Sequence, residues 1–171
     1  MELKEYIYVE EDFPKKGISF KDISPLVESP EAFAYSIGKM KEIAERWDVD
    51  IIVGPESRGF IFGTPLAYAM GKGFLMARKA GKLPGKKLSI TYDLEYGQAT
   101  LEIPSSAIQQ GTRVLIVDDL LATGGTITAL ETLLENAGAK VVGVITLIEL
   151  TDLNGKSAFK APFEALIRYP H

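Results

Sequence analysis

The segment VLIVDDLLATGGT, Val114 to Thr126, constrains the fold more than any other stretch. It holds four apolar residues in a row, two adjacent carboxylates, then a short turn of Thr and Gly. An unbroken β-branched and Leu run suits a central strand covered on both faces. From Thr126 to Ala137, apolar Ile127, Leu130, Leu133 and Leu134 recur at helical spacing, and Gly138 supplies a stop. The unit is strand, loop, helix. A second unit of the same kind precedes it, with Ile51 to Val53 as strand, GPESRG as loop and FIFGTPLAYAM as helix closed by Gly71. Lys140 to Leu150 adds another β-rich run. Strands alternating with helices predict an α/β domain with a mostly parallel central sheet and right-handed crossovers.

Around these units, SPEAFAYSIGKMKEIAERW places Ser29 as N-cap and Pro30 at the first helical position, with Phe33, Ile37, Met40, Ile43 and Trp47 on one face. Lys87 to Asp93 and Gln98 to Ile103 predict an antiparallel hairpin turning at Glu95, Tyr96 and Gly97. The preceding ARKAGKLPGKK is basic and rich in Gly and Pro, as expected of a mobile loop. No linker divides the chain. Its 171 residues, 46% of them hydrophobic, suit one domain that buries roughly 70% of its unfolded surface.

Composition removes several chemistries. A net charge of −4 lacks the basic footprint of nucleic-acid binding. With no Cys, disulfides, thiolate catalysis and cysteine-ligated zinc are excluded. No apolar run reaches the roughly 18 residues of a membrane span, and MELKEYIYVEEDFP lacks a signal-peptide core, so a soluble cytosolic chain is expected. Ser57 lacks G-x-S-x-G spacing, and the single His, His171, is terminal, which leaves no Ser/His triad. Gly54 and Gly59 carry the spacing of a nucleotide-hydrolase loop, but Phe60 and Ile61 stand where Lys and Ser/Thr are required. The dinucleotide fingerprint G-x-G-x-x-G is absent as well.

A different phosphate loop remains. In ATGGT, Gly124 and Gly125 let backbone N–H groups turn inward, Thr123 and Thr126 add hydroxyls, and the following helix presents its N-terminal dipole. Asp118 and Asp119 could simply cap that helix. Beside a phosphate loop they gain another use, because ionised carboxylates accept hydrogen bonds from a vicinal diol. A ribose 5-phosphate fits both ends.

VLIVDDLLATGGT closely resembles the 5-phosphoribosyl 1-pyrophosphate (PRPP) motif of the type I phosphoribosyltransferases. FPKKGISFKDISPL, GPESRGFIFG, ARKAGKLPG, DLEYG and VITLIEL resemble the successive signature segments of its adenine-specific branch, in order and over nearly the whole chain. The resemblance implies a type I phosphoribosyltransferase fold over residues 1–171, with an N-terminal base-binding hood (1–28) and a mobile loop and flexible hairpin (79–103). It implies transfer of phosphoribosyl from PRPP to adenine, giving AMP and pyrophosphate, in a cytoplasmic homodimer serving purine salvage. Mg2+ would be bound mainly through PRPP, and no protein ligand is assigned to it. Another purine, xanthine or guanine, is the alternative substrate, and a PRPP-sensing DNA-binding regulator the alternative class.

The resemblance also assigns roles. Phe20 would stack on adenine, with Ser19 and Lys21 lending main-chain contacts; the family segment often has Val and Arg at those two positions. Asp118 and Asp119 would hold the ribose hydroxyls, and Ala122, Thr123, Gly124, Gly125 and Thr126 the 5-phosphate. Glu56, Ser57 and Arg58 would form the pyrophosphate loop, with Arg78, Lys79 and Lys82 adding positive charge. Glu95 would be the general acid/base, Arg58 would stabilise the leaving group and Tyr96 would seal the site.

Overall fold

The computed structural model describes residues 1–94 and 96–170. In chain order the strands are β1 (Tyr8–Glu11), β2 (Ser19–Asp22), β3 (Ile51–Pro55), β4 (Gly73–Lys79), β5 (Lys87–Asp93), β6 (Gln98–Pro104), β7 (Arg113–Leu121), β8 (Lys140–Leu150) and β9 (Phe163–Tyr169). The helices are α1 (Ser24–Glu28), α2 (Pro30–Ala44), α3 (Arg58–Met70) and α4 (Gly125–Asn136). Among the described residues, β1 and β2 form a small antiparallel sheet, and the rest form one sheet in the order β5-β6-β4-β3-β7-β8-β9. Its β4-β3-β7-β8-β9 portion is parallel; β6 and β5 continue it antiparallel as the expected hairpin. The α/β class and the mostly parallel sheet agree with the sequence, and β1, β2 and α1 lie within residues 1–28, the segment expected to form a hood.

Alternation along the strands divides the core into two layers. Ile52, Leu115, Val117, Ile145 and Leu147 face α1, α2 and α3, where Leu26, Met40, Phe62 and Leu66 are fully buried. Val53, Ile116 and Val144 face α4, meeting Ile127, Leu130 and Leu134 together with Leu101 and Ile103 of the hairpin. The helix stripes read from the sequence are these contact faces. Ser29 caps α2 as expected, its hydroxyl accepting the Ala32 N–H at 3.2 Å.

Several boundaries differ. The helix predicted through Trp47 ends at Ala44, and Trp47 instead lies over β8, where a β-carbon at Gly143 would come within 2.4 Å of its ring. β7 does not stop at Val117: parallel pairing continues from Asp118 opposite Thr146 to Leu121 opposite Glu149, so both acids lie within the strand. The N-cap of α4 is Gly124, which rules out the helix-cap reading of the Asp pair. Ala77, Arg78 and Lys79, expected in a mobile loop, belong to β4, where pairing with β3 and β6 satisfies their backbone.

Leu115 is fully buried between layers, so Leu115→Ala is expected to cost about 2–5 kcal/mol in urea unfolding.

Candidate active site

The connection β3–α3–β4 leads one way across the sheet and β7–α4–β8 the other. The loops leaving β3 and β7 therefore part, opening a crevice beyond the carboxyl ends of these strands. Two cavities occupy it. The larger, about 760 Å³, lies between Glu56, Ser57, Arg58 and Lys79 on one side and Asp118, Asp119 and Thr126 on the other, with the hairpin over it. The smaller, about 240 Å³, is lined by Arg58 and the continuous run Asp118 to Ile127.

Ala122, Thr123, Gly124, Gly125 and Thr126 all border the smaller cavity, at the N-terminus of α4. Gly124 adopts φ +90°, and a β-carbon there would lie 2.5 Å from the Gly155 carbonyl oxygen. A β-carbon at Gly155 would in turn meet the Ala122 carbonyl oxygen at 2.3 Å. The 3-10 turn Gly155–Ala158 thus braces the loop from below, and Thr128 Oγ1 donates to the Gly124 carbonyl at 2.7 Å. The N-terminal end of the α4 dipole faces this cavity, an environment that favours an anion. Gly155 escaped the sequence reading because it lies outside any motif.

Asp118 and Asp119 stand at the mouth of both cavities. Asp119 is 6% exposed, and its carboxylate is 3.0 Å from Nε of Arg58, the first residue of α3, whose side chain is 54% exposed. Asp118 Oδ1 accepts the Asp119 N–H at 2.8 Å. Burial, reinforced by the Asp119 carboxylate, pushes the Asp118 pKa well above the usual carboxylate range, and the Arg58 charge offsets only part of this.

Glu56 accepts from Arg78 Nε at 2.8 Å and from the Lys79 N–H at 2.9 Å, and these bonds hold its carboxyl below the usual range. Arg78 therefore braces the loop after β3 and does not line either cavity; Lys79 lines the larger one. Lys82 is exposed beyond the rim, close enough for its charge to favour the ionised Glu56. The Glu56–Ser57 peptide is cis.

On β2, Ser19 and Lys21 share one side: Lys21 Nζ donates to Ser19 Oγ at 2.6 Å and lies 5.0 Å from the Tyr169 ring centroid. The Ser19 hydroxyl donates in turn to Glu11 at 3.0 Å, so both side chains are engaged within the small sheet. Phe20 projects to the opposite side, edge-on to Phe13 at 5.3 Å, together with Asp22, which accepts from Ser24 N and Oγ and feels the Arg58 charge. None of Ser19, Phe20 and Lys21 borders the two cavities. Glu95 lies outside the described residues. Tyr96 is 79% exposed, with Lys15 Nζ 5.6 Å from its ring centroid, so the hood turn and the hairpin tip touch. Tyr92 was missed: half-buried on β5, it lines the larger cavity and its hydroxyl is 3.3 Å from Thr126 Oγ1. Its inward position follows the strand alternation, but nothing local marks it as more than core.

Residues 23–161 match the model of the phosphoribosyl transferase domain. The adenine phosphoribosyltransferase of Petrotoga mobilis is 53% identical over 170 residues, covering 99% of this chain and 98% of that protein. The crystal structure of adenine phosphoribosyltransferase from Thermoanaerobacter pseudethanolicus superposes with a TM-score of 0.94 at 49% identity, covering 98% of each chain. The Saccharomyces cerevisiae enzyme, solved with adenine and an imino-altritol bisphosphate, gives 0.91 at 41% identity over 96% of each chain.

The raised pKa of Asp118 has a consequence for stability. Between the usual carboxylate pKa and the raised one, the folded chain holds a proton that the unfolded chain has released, so stability falls as pH rises through that window. Asp118→Asn removes this dependence. Above the window the variant is expected to melt higher than the parent and to show a flatter pH profile in calorimetry; a lower melting temperature would contradict the assignment.

Proposed function

We infer the chemistry of the crevice from one premise: the chain belongs to the phosphoribosyltransferase family, in its adenine phosphoribosyltransferase branch, and transfers 5-phosphoribosyl from PRPP to adenine, yielding AMP and pyrophosphate. The observation that carries the residue roles is the meeting of the glycine-threonine loop with Asp118 and Asp119 in one crevice. The loop from Ala122 to Thr126 takes the 5-phosphate through its amides and hydroxyls, and the two carboxylates take the ribose 2- and 3-hydroxyls.

Displacement at the anomeric carbon develops positive charge on ribose and negative charge on pyrophosphate, so fixed donors facing the leaving group lower the barrier. Arg58 is the nearest. Its exposed guanidinium is held by Asp119 before substrate arrives; as the ribose hydroxyls take over that carboxylate, Arg58 is released toward the pyrophosphate. Ser57 and Lys79 complete that side, with Lys82 brought in from the loop and Arg78 fixing Glu56 so that the loop keeps its shape. Phe20 stacks on adenine while the main chain at Ser19 and Lys21 reads its edge. Glu95 serves as the general acid/base for the base proton, and Tyr96, reaching Lys15 across the entrance, keeps water from the oxocarbenium-like centre.

Mg2+ neutralises pyrophosphate charge when it arrives with PRPP. In this reading the ion would be held mainly through oxygens of PRPP, and no residue of the chain is assigned to it. The working form is read as a cytoplasmic homodimer. Exposed Tyr68 and Met76 on α3 and β4 offer apolar surface to a second copy.

Incubation of the purified chain with PRPP, Mg2+ and, separately, adenine, hypoxanthine, guanine or xanthine is expected to form AMP from adenine alone, followed by chromatography of nucleotide and pyrophosphate. A 6-oxopurine nucleotide would overturn the account of the Phe20 segment. Replacing Asp118 and Asp119 together by Asn should weaken PRPP binding about tenfold or more in calorimetry with the fold retained; unchanged affinity would remove both from the ribose site.

A further inference from the structure

A buried carboxylate outside the crevice ties down the basic loop that serves it. Glu102, on β6, is 9% exposed although the face of the hairpin carrying Ser89 and Thr91 is open to solvent. It stands directly between Arg78 of β4 and Ser89 of β5 in the register of the sheet. Its Oε1 accepts the Gly81 N–H at 3.1 Å and its Oε2 the Ser89 hydroxyl at 3.0 Å. One oxygen thus holds the chain where the loop departs from β4, and the other holds it where β5 has just begun.

The geometry assigns Glu102 as the positioning residue for the loop cations, a role that rests on the reading of the crevice as the PRPP site. Gly81, at φ +85°, and Gly85, at φ +75°, are the places where this loop turns. Further into the loop, Lys87 Nζ donates to the Leu83 carbonyl at 2.8 Å. Pinning Gly81 and Ser89 to one rigid carboxylate confines movement to residues 82–88. Lys79 is held at the cavity wall by its pairing to β6 and its amide's bond to Glu56, and the tether keeps Lys82 near it, on the side where its charge reaches Glu56. Without the tether, the binding-competent loop becomes one of several conformations, and apparent affinity falls by its fractional population. The burial of Glu102 itself gives the tether its grip, because water competes less for its carboxylate in the two part-buried hydrogen bonds.

Two variants of the full chain separate this role from a general structural one. Glu102→Ala should raise KM for PRPP about five- to tenfold, leave kcat at saturating PRPP within about twofold, and speed tryptic cleavage after Lys82 in the substrate-free protein. Glu102→Gln should restore both readouts, because the amide oxygen still accepts from Gly81 and the amide nitrogen donates to the Ser89 hydroxyl. Unchanged KM and unchanged cleavage in Glu102→Ala would overturn the assignment. So would a Gln variant as impaired as the Ala one, or a fall in kcat that matches a loss of thermal stability. If the parent formed no AMP, the reading of the site would fail, while the proteolysis of the substrate-free chain would still decide whether the tether exists.

Discussion

The divergence of two crossovers at the β3–β7 pair is the constraint on which the rest depends. Parallel neighbours must be joined by connections that travel across a face of the sheet, and one chain direction sends α3 toward β4 while the other sends α4 toward β8. At that single place no connection closes the carboxyl end of the sheet. A crevice is left, floored by rigid strands and edged by the start of two helices. Asp118 and Asp119 reach it because β7 stays paired to β8 through Leu121, which gives them strand-like rigidity instead of the latitude of a loop. The glycine-threonine loop reaches it because α4 starts there.

Charge is distributed around the crevice in opposed pairs that persist before any substrate arrives. Asp119 faces Arg58, and Glu56 faces Arg78 and the Lys79 amide. Asp22 answers Ser24 and feels Arg58. Asp118 is the exception: it is crowded by Asp119 and desolvated, and the raised pKa records that cost. A site that is less comfortable empty than full accords with a substrate whose hydroxyls donate to these oxygens, since stability is commonly sacrificed where binding needs preset geometry. The cations, in contrast, are the more exposed partners, with Arg58 at the start of α3 and Lys82 on the loop tethered by Glu102. Buried acceptors and accessible donors suit a reaction that must admit a highly charged substrate and then exclude water.

Motifs were legible where a local backbone requirement and a chemical one coincide in neighbouring residues. Gly124 must adopt a left-handed φ, Thr126 must follow it into the helix, and the acids must precede them within reach, so thirteen consecutive residues from Val114 to Thr126 disclose phosphate and ribose chemistry together. The hairpin at Lys87–Asp93 and Gln98–Pro104 was legible for a similar reason, as alternation and a Gly-containing turn are both local. Contacts between distant segments left no such trace. Gly155 is needed only because the Ala122 carbonyl approaches it, and Tyr92 matters only because β5 lies over α4. The short strand β4 was hidden in GFLMARK because its final residues carry charge, and charge in sequence suggests a loop until Glu56 and the neighbouring strands are seen to accept it.

The sequence by itself determined the α/β class, the phosphate loop, the acid pair and the family, because strand and helix periodicities and a contiguous motif are properties of near neighbours along the chain. Only the tertiary structure decided that Arg58 is held by Asp119, that Arg78 braces Glu56, that Lys21 is turned to Ser19 and that Glu102 holds both ends of the basic loop. A charged side chain has several partners of opposite sign available to it in the sequence. Which one it takes depends on strand register and burial, and these are settled only when the sheet assembles and water is excluded.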